Sequence, residues 1–385
     1  MKKRIAILGS TGSIGKTLIK LIKKDKKNFK IELLTANKNY KEILNQAKTF
    51  NVKHIIITNE KYYLKLKKKK LGNIKIFNNF NSLDVIFKKK IDYVMSSISG
   101  IYGLEPTVKI IKYTKKIAIA NKEAIICGWH IIKKNLKKFN TSFIPVDSEH
   151  FSIFYALQGN NISNIDKIYL TASGGPLNNI PKKKFKSVKI ADAINHPNWK
   201  MGKKISVDSA SMMNKVFEII EAKKIFDLKY EKLSILVHPS SYVHAIIKYN
   251  DGMIKIIAHD TNMKIPIFNS LYDNKKKMIK TQKLNLKKLN FLNFKKVDTD
   301  KFPSIKIINK LQNKESLLET IIVLANDELV NLFLLKKINF NDINDLLQKL
   351  ISMKDFKRYI KKNPSNIKTI ISLNTYIRKI ITKMI

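Results

Sequence analysis

Apolar residues follow two rhythms along this chain. In its first third, short runs that are apolar at nearly every position (4–8, 31–36, 53–58, 91–96 and 116–120) alternate with stretches of helical spacing, such as Leu18, Ile19 and Ile22. A run apolar at consecutive positions suits a strand buried on both faces, and strands separated by helices predict a doubly wound parallel sheet. From about residue 200 the pattern changes. Residues 204–209 lead into a predicted helix over 210–222, and runs at 233–239, 243–249 and 252–257 predict a second sheet. Asn250-Asp251-Gly252 marks the hairpin between the last two runs. Residues 275–301 are polar and poorly periodic, which predicts a linker; beyond them, apolar positions in 321–325, 329–335 and 367–385 suit a small helical bundle. The expected class is α/β. A doubly wound domain covers 1–146, an α+β domain 147–274, a linker 275–301 and a C-terminal helical bundle 302–385.

Composition narrows the function. The 385 residues carry a formal charge of +46, but the basic residues are spread along the chain and only Arg4, Arg358 and Arg378 are arginine. Nucleic-acid readers favour arginine forks interleaved with aromatics, so this field reads as lysine on solvated faces, the block 67–70 included. It still attracts small acidic substrates. Cys127 is the single cysteine, which rules out a disulfide within the chain and suits a buried filler. The basic start before residues 5–8 looks briefly like a signal peptide, but its apolar core stops at Gly9. No apolar stretch reaches membrane-spanning length, so a cytoplasmic protein without nucleic-acid or membrane partners is expected.

The first strand runs into Gly9-Ser10-Thr11-Gly12-Ser13-Ile14-Gly15 and then a helix. Strand, glycine turn and helix form a Rossmann-like phosphate cradle. The glycines allow a tight turn and close approach, and the helix N-terminus offers N–H donors to a pyrophosphate. After the second strand, where an NAD enzyme needs an acid for the ribose 2′-hydroxyl, stand Asn37-Lys38-Asn39. A cation and two amides suit a 2′-phosphate, which predicts NADPH. Residues 96–100 and Ala120-Asn121-Lys122-Glu123 also follow buried strands, where ligands collect in such sheets; Lys122-Glu123 suits an ordinary helix start as well.

Acid is scarce, with 29 Asp and Glu against 75 Lys and Arg, yet Asp147-Ser148-Glu149-His150 packs two carboxylates and an imidazole into four positions. On a strand, Asp147 and Glu149 share one side of the pleat and offer oxygen ligands to Mg²⁺ or Mn²⁺; alternatively Asp147 or Ser148 caps a helix over 149–155. Asn214, Lys215 and Glu218 share a helix face, where lysine and amide suit a phosphate and Glu218 adds a third carboxylate. Glu221 fits the spacing equally. Residues 174–202 have little periodicity and hold His196-Pro197-Asn198-Trp199-Lys200-Met201-Gly202, which suits a flexible flap or a loop tucked in by its Trp.

Taken in order, the turn at 9–15, Ala120-Asn121-Lys122-Glu123, 145–150, Ser173-Gly174-Gly175-Pro176, 196–199 and 207–218 resemble the 1-deoxy-D-xylulose 5-phosphate reductoisomerases of non-mevalonate isoprenoid synthesis. The resemblance covers most of the chain. It implies a V-shaped homodimer subunit with an NADPH domain, a catalytic domain bearing the flap and a helical bundle. It implies that Asp147, Glu149 and Glu218 hold Mg²⁺ or Mn²⁺, choosing Glu218 over Glu221, and that Ser173, Ser209, Asn214 and Lys215 cradle the phosphate. Ser148 and His196 then contact the substrate, with Trp199 and Met201 covering it. Thr11, Gly12, Ser13, Ile14, Asn37, Lys38, Asn39, Asn121, Lys122, Glu123 and Gly202 line the NADPH path. Catalysis falls to Asp147, Glu149, Glu218, Lys215 and His196. Three positions depart from the family pattern: Asn37 stands for a glycine at a turn and implies tolerance of positive φ, Ala124 for a serine, and Val216 for a glycine that leaves valine either crowding the phosphate or packing behind it.

Overall fold

The computed structural model describes residues 1–272 and 277–385. By internal contacts they fall into two units: 1–124, 130–147, 263–272 and 277–279 in the first, and 125–129, 148–262 and 280–385 in the second.

The first unit is built on seven parallel strands: β1 (Lys3–Leu8), β2 (Phe29–Ala36), β3 (His54–Ile57), β4 (Lys75–Phe77), β5 (Ile91–Ser96), β6 (Thr114–Ile119) and β7 (Ser142–Pro145). Their order is β4-β3-β2-β1-β5-β6-β7. The chain reverses its direction of travel across the sheet between β1 and β5, so the crevice beyond their carboxyl ends is the ligand position of such folds. Ile5, Ile7, Leu34, Ile55, Tyr93 and Met95 form its core with Leu18 and Ile22 of the Ser13–Lys24 helix. The Lys264–Leu271 helix closes this core through Ile267 and Leu271, while Ser270 Oγ lies 2.8 Å from Tyr93 Oη.

Pro145 ends β7 and Ser148 starts the Ser148–Ala156 helix. Asp147 and Glu149 are therefore not two positions on one pleat, as the strand alternative required. The last bond of the ladder runs from Val146 N to Ile119 O at 3.1 Å, and the chain turns into the helix at Ser148, two residues on.

The second unit holds a mixed sheet, β11-β10-β8-β9-β12, made of β8 (Ile165–Ala172), β9 (Leu233–Val237), β10 (Val243–Tyr249), β11 (Ile254–Ala258) and β12 (Lys295–Lys296). The expected hairpin joins β10 and β11 in antiparallel register. The stretch expected to be a linker holds a short helix, Leu286–Asn290, and β12, which pairs with β9; Lys275 and Lys276 of that stretch lie outside the described residues. The helix predicted over 210–222 runs from Met213 to Phe226, and the residues leading into it form a helix of their own, Lys203–Ala210; Met212, at φ +61°, separates the two. Val216 and Ala124, two of the family departures, are fully buried.

The C-terminal stretch is helical as expected: Leu317–Leu334, Phe340–Ser352 and Ile367–Met384. The Leu317–Leu334 helix is buried on most of its circumference, which explains its nearly continuous apolar sequence. Among the described residues no helix is long and apolar enough to cross a membrane.

Candidate active site

In the first unit the cradle is set by backbone geometry. Gly9 takes φ +81°, and a Cβ there would lie 2.7 Å from the Ser97 carbonyl oxygen after β5, so the β1 turn demands glycine. Gly9 N donates to Thr35 Oγ1 and Ser10 N to Thr35 O, both at 2.9 Å, pinning the turn to β2. The Ser13–Lys24 helix then starts without an acid in its first turn and without a side-chain cap on Gly12. No acid of its own first turn offsets the N-terminal dipole, which fits a pyrophosphate beside Thr11, Gly12, Ser13 and Ile14.

Asn37, Lys38 and Asn39 are all exposed at the end of β2. Asn37 Nδ2 donates to Thr58 Oγ1 at 2.8 Å, and Asn39 Oδ1 caps the Tyr40–Phe50 helix. Asn37 has no positive φ, so the turn does not need the left-handed freedom expected of it. Asn121 is buried: its Oδ1 accepts from Ala124 N at 2.6 Å and its Nδ2 donates to Gly100 O at 2.8 Å. It ties the loop after β5 to the helix begun by Lys122 and Glu123. Lys122 Nζ lies 3.2 Å from Asp147 Oδ2. Gly202 is the N-cap of the Lys203–Ala210 helix in the second unit.

The acidic cluster forms around Lys215. Its Nζ lies 3.1 Å from Glu149 Oε1, pairs with Glu218 Oε2 and donates to the Thr171 carbonyl. Asn214 Nδ2 donates to Glu218 Oε1, and Ser148 Oγ to Glu149 Oε2, each at 2.5 Å. Asp147 immediately precedes the Glu149 helix, and one carboxylate oxygen each from Asp147, Glu149 and Glu218 lie within 4.8 Å of one another. Three carboxylates against the ammoniums of Lys122 and Lys215 leave negative charge in a set made only of hard oxygen donors. That set fits Mg²⁺ or Mn²⁺ and not zinc. Asp147, His150 and Glu221 form a second such group, with His150 Nδ1 3.6 Å from Glu221 Oε2 and Nε2 2.9 Å from the Glu218 carbonyl. Glu221 therefore faces an imidazole, whereas Glu218 faces the lysine and the other carboxylate.

The flap residues are seated on the second unit. His196 Nδ1 accepts from the backbone N–H of both Asn198 and Trp199 at 3.1 Å. Nδ1 must be unprotonated for that, so Nε2 carries the hydrogen and donates to Ser173 Oγ at 3.0 Å. Burial first, then the nearby Lys215 charge, lowers the His196 pKa to about 4, which keeps this tautomer neutral. Ser173 Oγ also accepts from Gly175 N at 3.0 Å. With both acceptor positions used, the Ser173 hydroxyl keeps its hydrogen to donate. Gly175 takes φ +71° and approaches so closely that a Cβ would lie 2.2 Å from the Ser209 carbonyl oxygen. Trp199 packs edge-on against His244 at 6.0 Å, and His244 stacks on His259 at 3.7 Å. In this conformation Trp199 tucks the loop in.

Reading the sequence missed Thr171, whose carbonyl engages Lys215, and Asn198, whose Nδ2 donates to Pro239 O at 2.6 Å and Ser241 Oγ at 2.9 Å. It also missed the His244–His259 stack. Two histidines flanking a hairpin were the available signal for the last; a backbone carbonyl leaves none.

Comparison with known proteins matches the same stretches. The family model for 1-deoxy-D-xylulose 5-phosphate reductoisomerase matches residues 5–128, that for its C-terminal domain 143–226, and that for the DXP reductoisomerase C-terminal domain 260–380. The reductoisomerase of Pelagibacter ubique is 57% identical over 385 residues, 99% of each chain. That of the Wolbachia of Culex pipiens is 39% identical, over 93% of this chain and 91% of its own. Among solved structures, a DOX-P reductoisomerase in complex with NADPH, fosmidomycin and magnesium superposes with TM-score 0.90 at 31% identity, over 99% of this chain and 98% of that one. The Zymomonas mobilis enzyme in complex with NADPH gives 0.86 at 30%, over 98% of both. Full-length identity, matched domains and a shared fold coincide, and the chain belongs to the 1-deoxy-D-xylulose 5-phosphate reductoisomerase family.

Proposed function

We propose that this chain rearranges and reduces 1-deoxy-D-xylulose 5-phosphate to 2-C-methyl-D-erythritol 4-phosphate, with NADPH and Mg²⁺ or Mn²⁺. The observation that carries this beyond family membership is Lys215 lodged against Glu149 and Glu218, a cation in an oxygen-only set. Residues 1–146 supply the nucleotide domain, 147–274 the catalytic residues and 302–385 the supporting helices.

The cation, when bound, polarises the substrate ketone and acidifies the neighbouring hydroxyl, and NADPH supplies the hydride for the reduction. Asp147, Glu149 and Glu218 hold and orient that centre, in place of Glu221. Lys215 and Asn214 turn from the carboxylates to the substrate phosphate, joined by the Ser173 and Ser209 hydroxyls. Ser148 orients Glu149, and His196 holds the Ser173 hydrogen outward. Trp199 and Met201 cover the substrate and exclude water. Thr11 to Ile14 take the pyrophosphate, Asn37, Lys38 and Asn39 the 2′-phosphate, and Asn121, Lys122, Glu123 and Gly202 complete the cofactor path.

A homodimer is part of this reading. β11 is an edge strand with exposed Ile254 and Ile256, beside exposed Met253 on the hairpin. An apolar open edge invites pairing, and a second copy of this chain is the occupant that suppresses further addition. The lone cysteine suits the cytoplasm. The test of the function is NADPH oxidation by the purified chain with 1-deoxy-D-xylulose 5-phosphate. Cation-dependent oxidation is expected, and absence of oxidation with Mg²⁺ or Mn²⁺ present refutes the proposal.

A further inference from the structure

We infer that Asn326 is a positioning residue for the phosphate end of the site, holding Ser209 through its neighbour Asp208; this rests on the phosphate reading above. Asn326 is fully buried in the Leu317–Leu334 helix, and its Nδ2 donates to Asp208 Oδ1 at 2.7 Å. Asp208 is itself 1% exposed, on the last turn of the Lys203–Ala210 helix. Its other oxygen lies 3.2 Å from Lys204 Nζ, and Lys204 reaches Asp327 Oδ1 at 2.7 Å. The chain thus buries a carboxylate beside a substrate-facing serine and satisfies it from a distant helix.

Stability alone does not ask for this arrangement, since well-packed apolar residues in place of a buried polar set are often neutral or stabilising. What a directed amide–carboxylate bond adds is geometry. The Ser209 backbone is also approached by Gly175, at a distance no side chain allows. Ser209 is therefore fixed at its own carbonyl by the Ser173–Gly175 turn and through its neighbour Asp208 by Asn326. The same C-terminal helix holds the neighbouring one: Glu319, two turns before Asn326 and on the same face, pairs with Lys224 at 2.8 Å at the far end of the Lys215 helix. One helix with no assigned substrate contact thereby sets two that carry phosphate ligands.

The test compares Asn326→Leu, Asn326→Asp and the exchange Asn326→Asp/Asp208→Asn, which restores one amide facing one carboxylate, with Ser209→Ala in parallel. The readouts are KM for 1-deoxy-D-xylulose 5-phosphate, inhibition by inorganic phosphate and KM for NADPH. In both single Asn326 variants the substrate KM and the phosphate inhibition constant rise by about tenfold or more. KM for NADPH stays unchanged, and the exchange returns the first two toward the starting values. A raised KM in Ser209→Ala beside an unchanged one in Asn326→Leu overturns the positioning role alone; an unchanged KM in Ser209→Ala overturns the phosphate assignment and this inference with it. If the single variants do not fold, the exchange decides: a folded protein with near-normal KM supports the inference, and a KM raised by about tenfold or failure to fold overturns it.

Discussion

Lys215 Nζ lies 3.1 Å from Glu149 Oε1 and pairs at the same time with Glu218, so one ammonium joins carboxylates from two helices. Both Lys215 and Glu218 are buried, so their mutual attraction is little screened, and on the proposed reading a divalent cation has to displace the ammonium. Lys215→Met should therefore tighten Mn²⁺ binding to the substrate-free protein by about tenfold. If Lys215 serves the phosphate as proposed, the same change should lower kcat/KM by about 100-fold through loss of a charged donor. Mn²⁺ titration beside steady-state assays checks both; weaker Mn²⁺ binding in the variant contradicts the competition.

Lys38 stands exposed between two amides at the end of β2. Lys38→Asp should lower kcat/KM for NADPH by about tenfold while leaving NADH little changed, since only the 2′-phosphate distinguishes them. Parallel loss with both cofactors would place Lys38 elsewhere on the cofactor path.

His196 is lowered from 6.5 to about 4, by burial first and Lys215 second. The unfolded chain therefore binds a proton at His196 more readily than the folded one between those values. Its contribution to stability is complete above about pH 6.5 and is lost as pH falls toward 4. In a Trp129→Phe background, Trp199 emission should hold steady from pH 7 to about 5 and change near 4. A transition centred near 6.5 would show that His196 does not keep its two backbone N–H partners.

The exposed apolar edge of β11 gives a fourth expectation. Ile256→Lys places a charge on the pairing edge and should yield a monomer in sedimentation with an unchanged circular dichroism spectrum. A dimer that survives the change would move the interface to another surface.

Much of this was legible in the residues. The parallel sheet shows in apolar runs such as 91–96, because strands buried on both faces leave no polar alternation to confuse with helix. The cradle shows at Gly9, because backbone contact with Ser97 admits no side chain. The break at Met212 did not show: a methionine in left-handed conformation has no local signature, and tertiary packing outweighs its helical preference. β12 was hidden for a related reason, since two lysines can join a sheet edge through backbone alone. The strand alternative for Asp147 and Glu149 fails because the chain leaves the sheet after Val146 and enters a helix at Ser148, a turn that the apolar run through Ile144 does not mark. Asn326 and Asp208 could not be paired from the sequence, because nothing local connects residues on separate helices.

The account depends most on which glutamate completes the oxygen set. Titration of Mn²⁺ into the substrate-free protein, followed by electron paramagnetic resonance, should find one tight site. Glu218→Gln should weaken that site by about 100-fold, and Glu221→Gln by no more than a few-fold. Equal losses, or a larger loss for Glu221→Gln, would contradict the Asp147, Glu149 and Glu218 assignment.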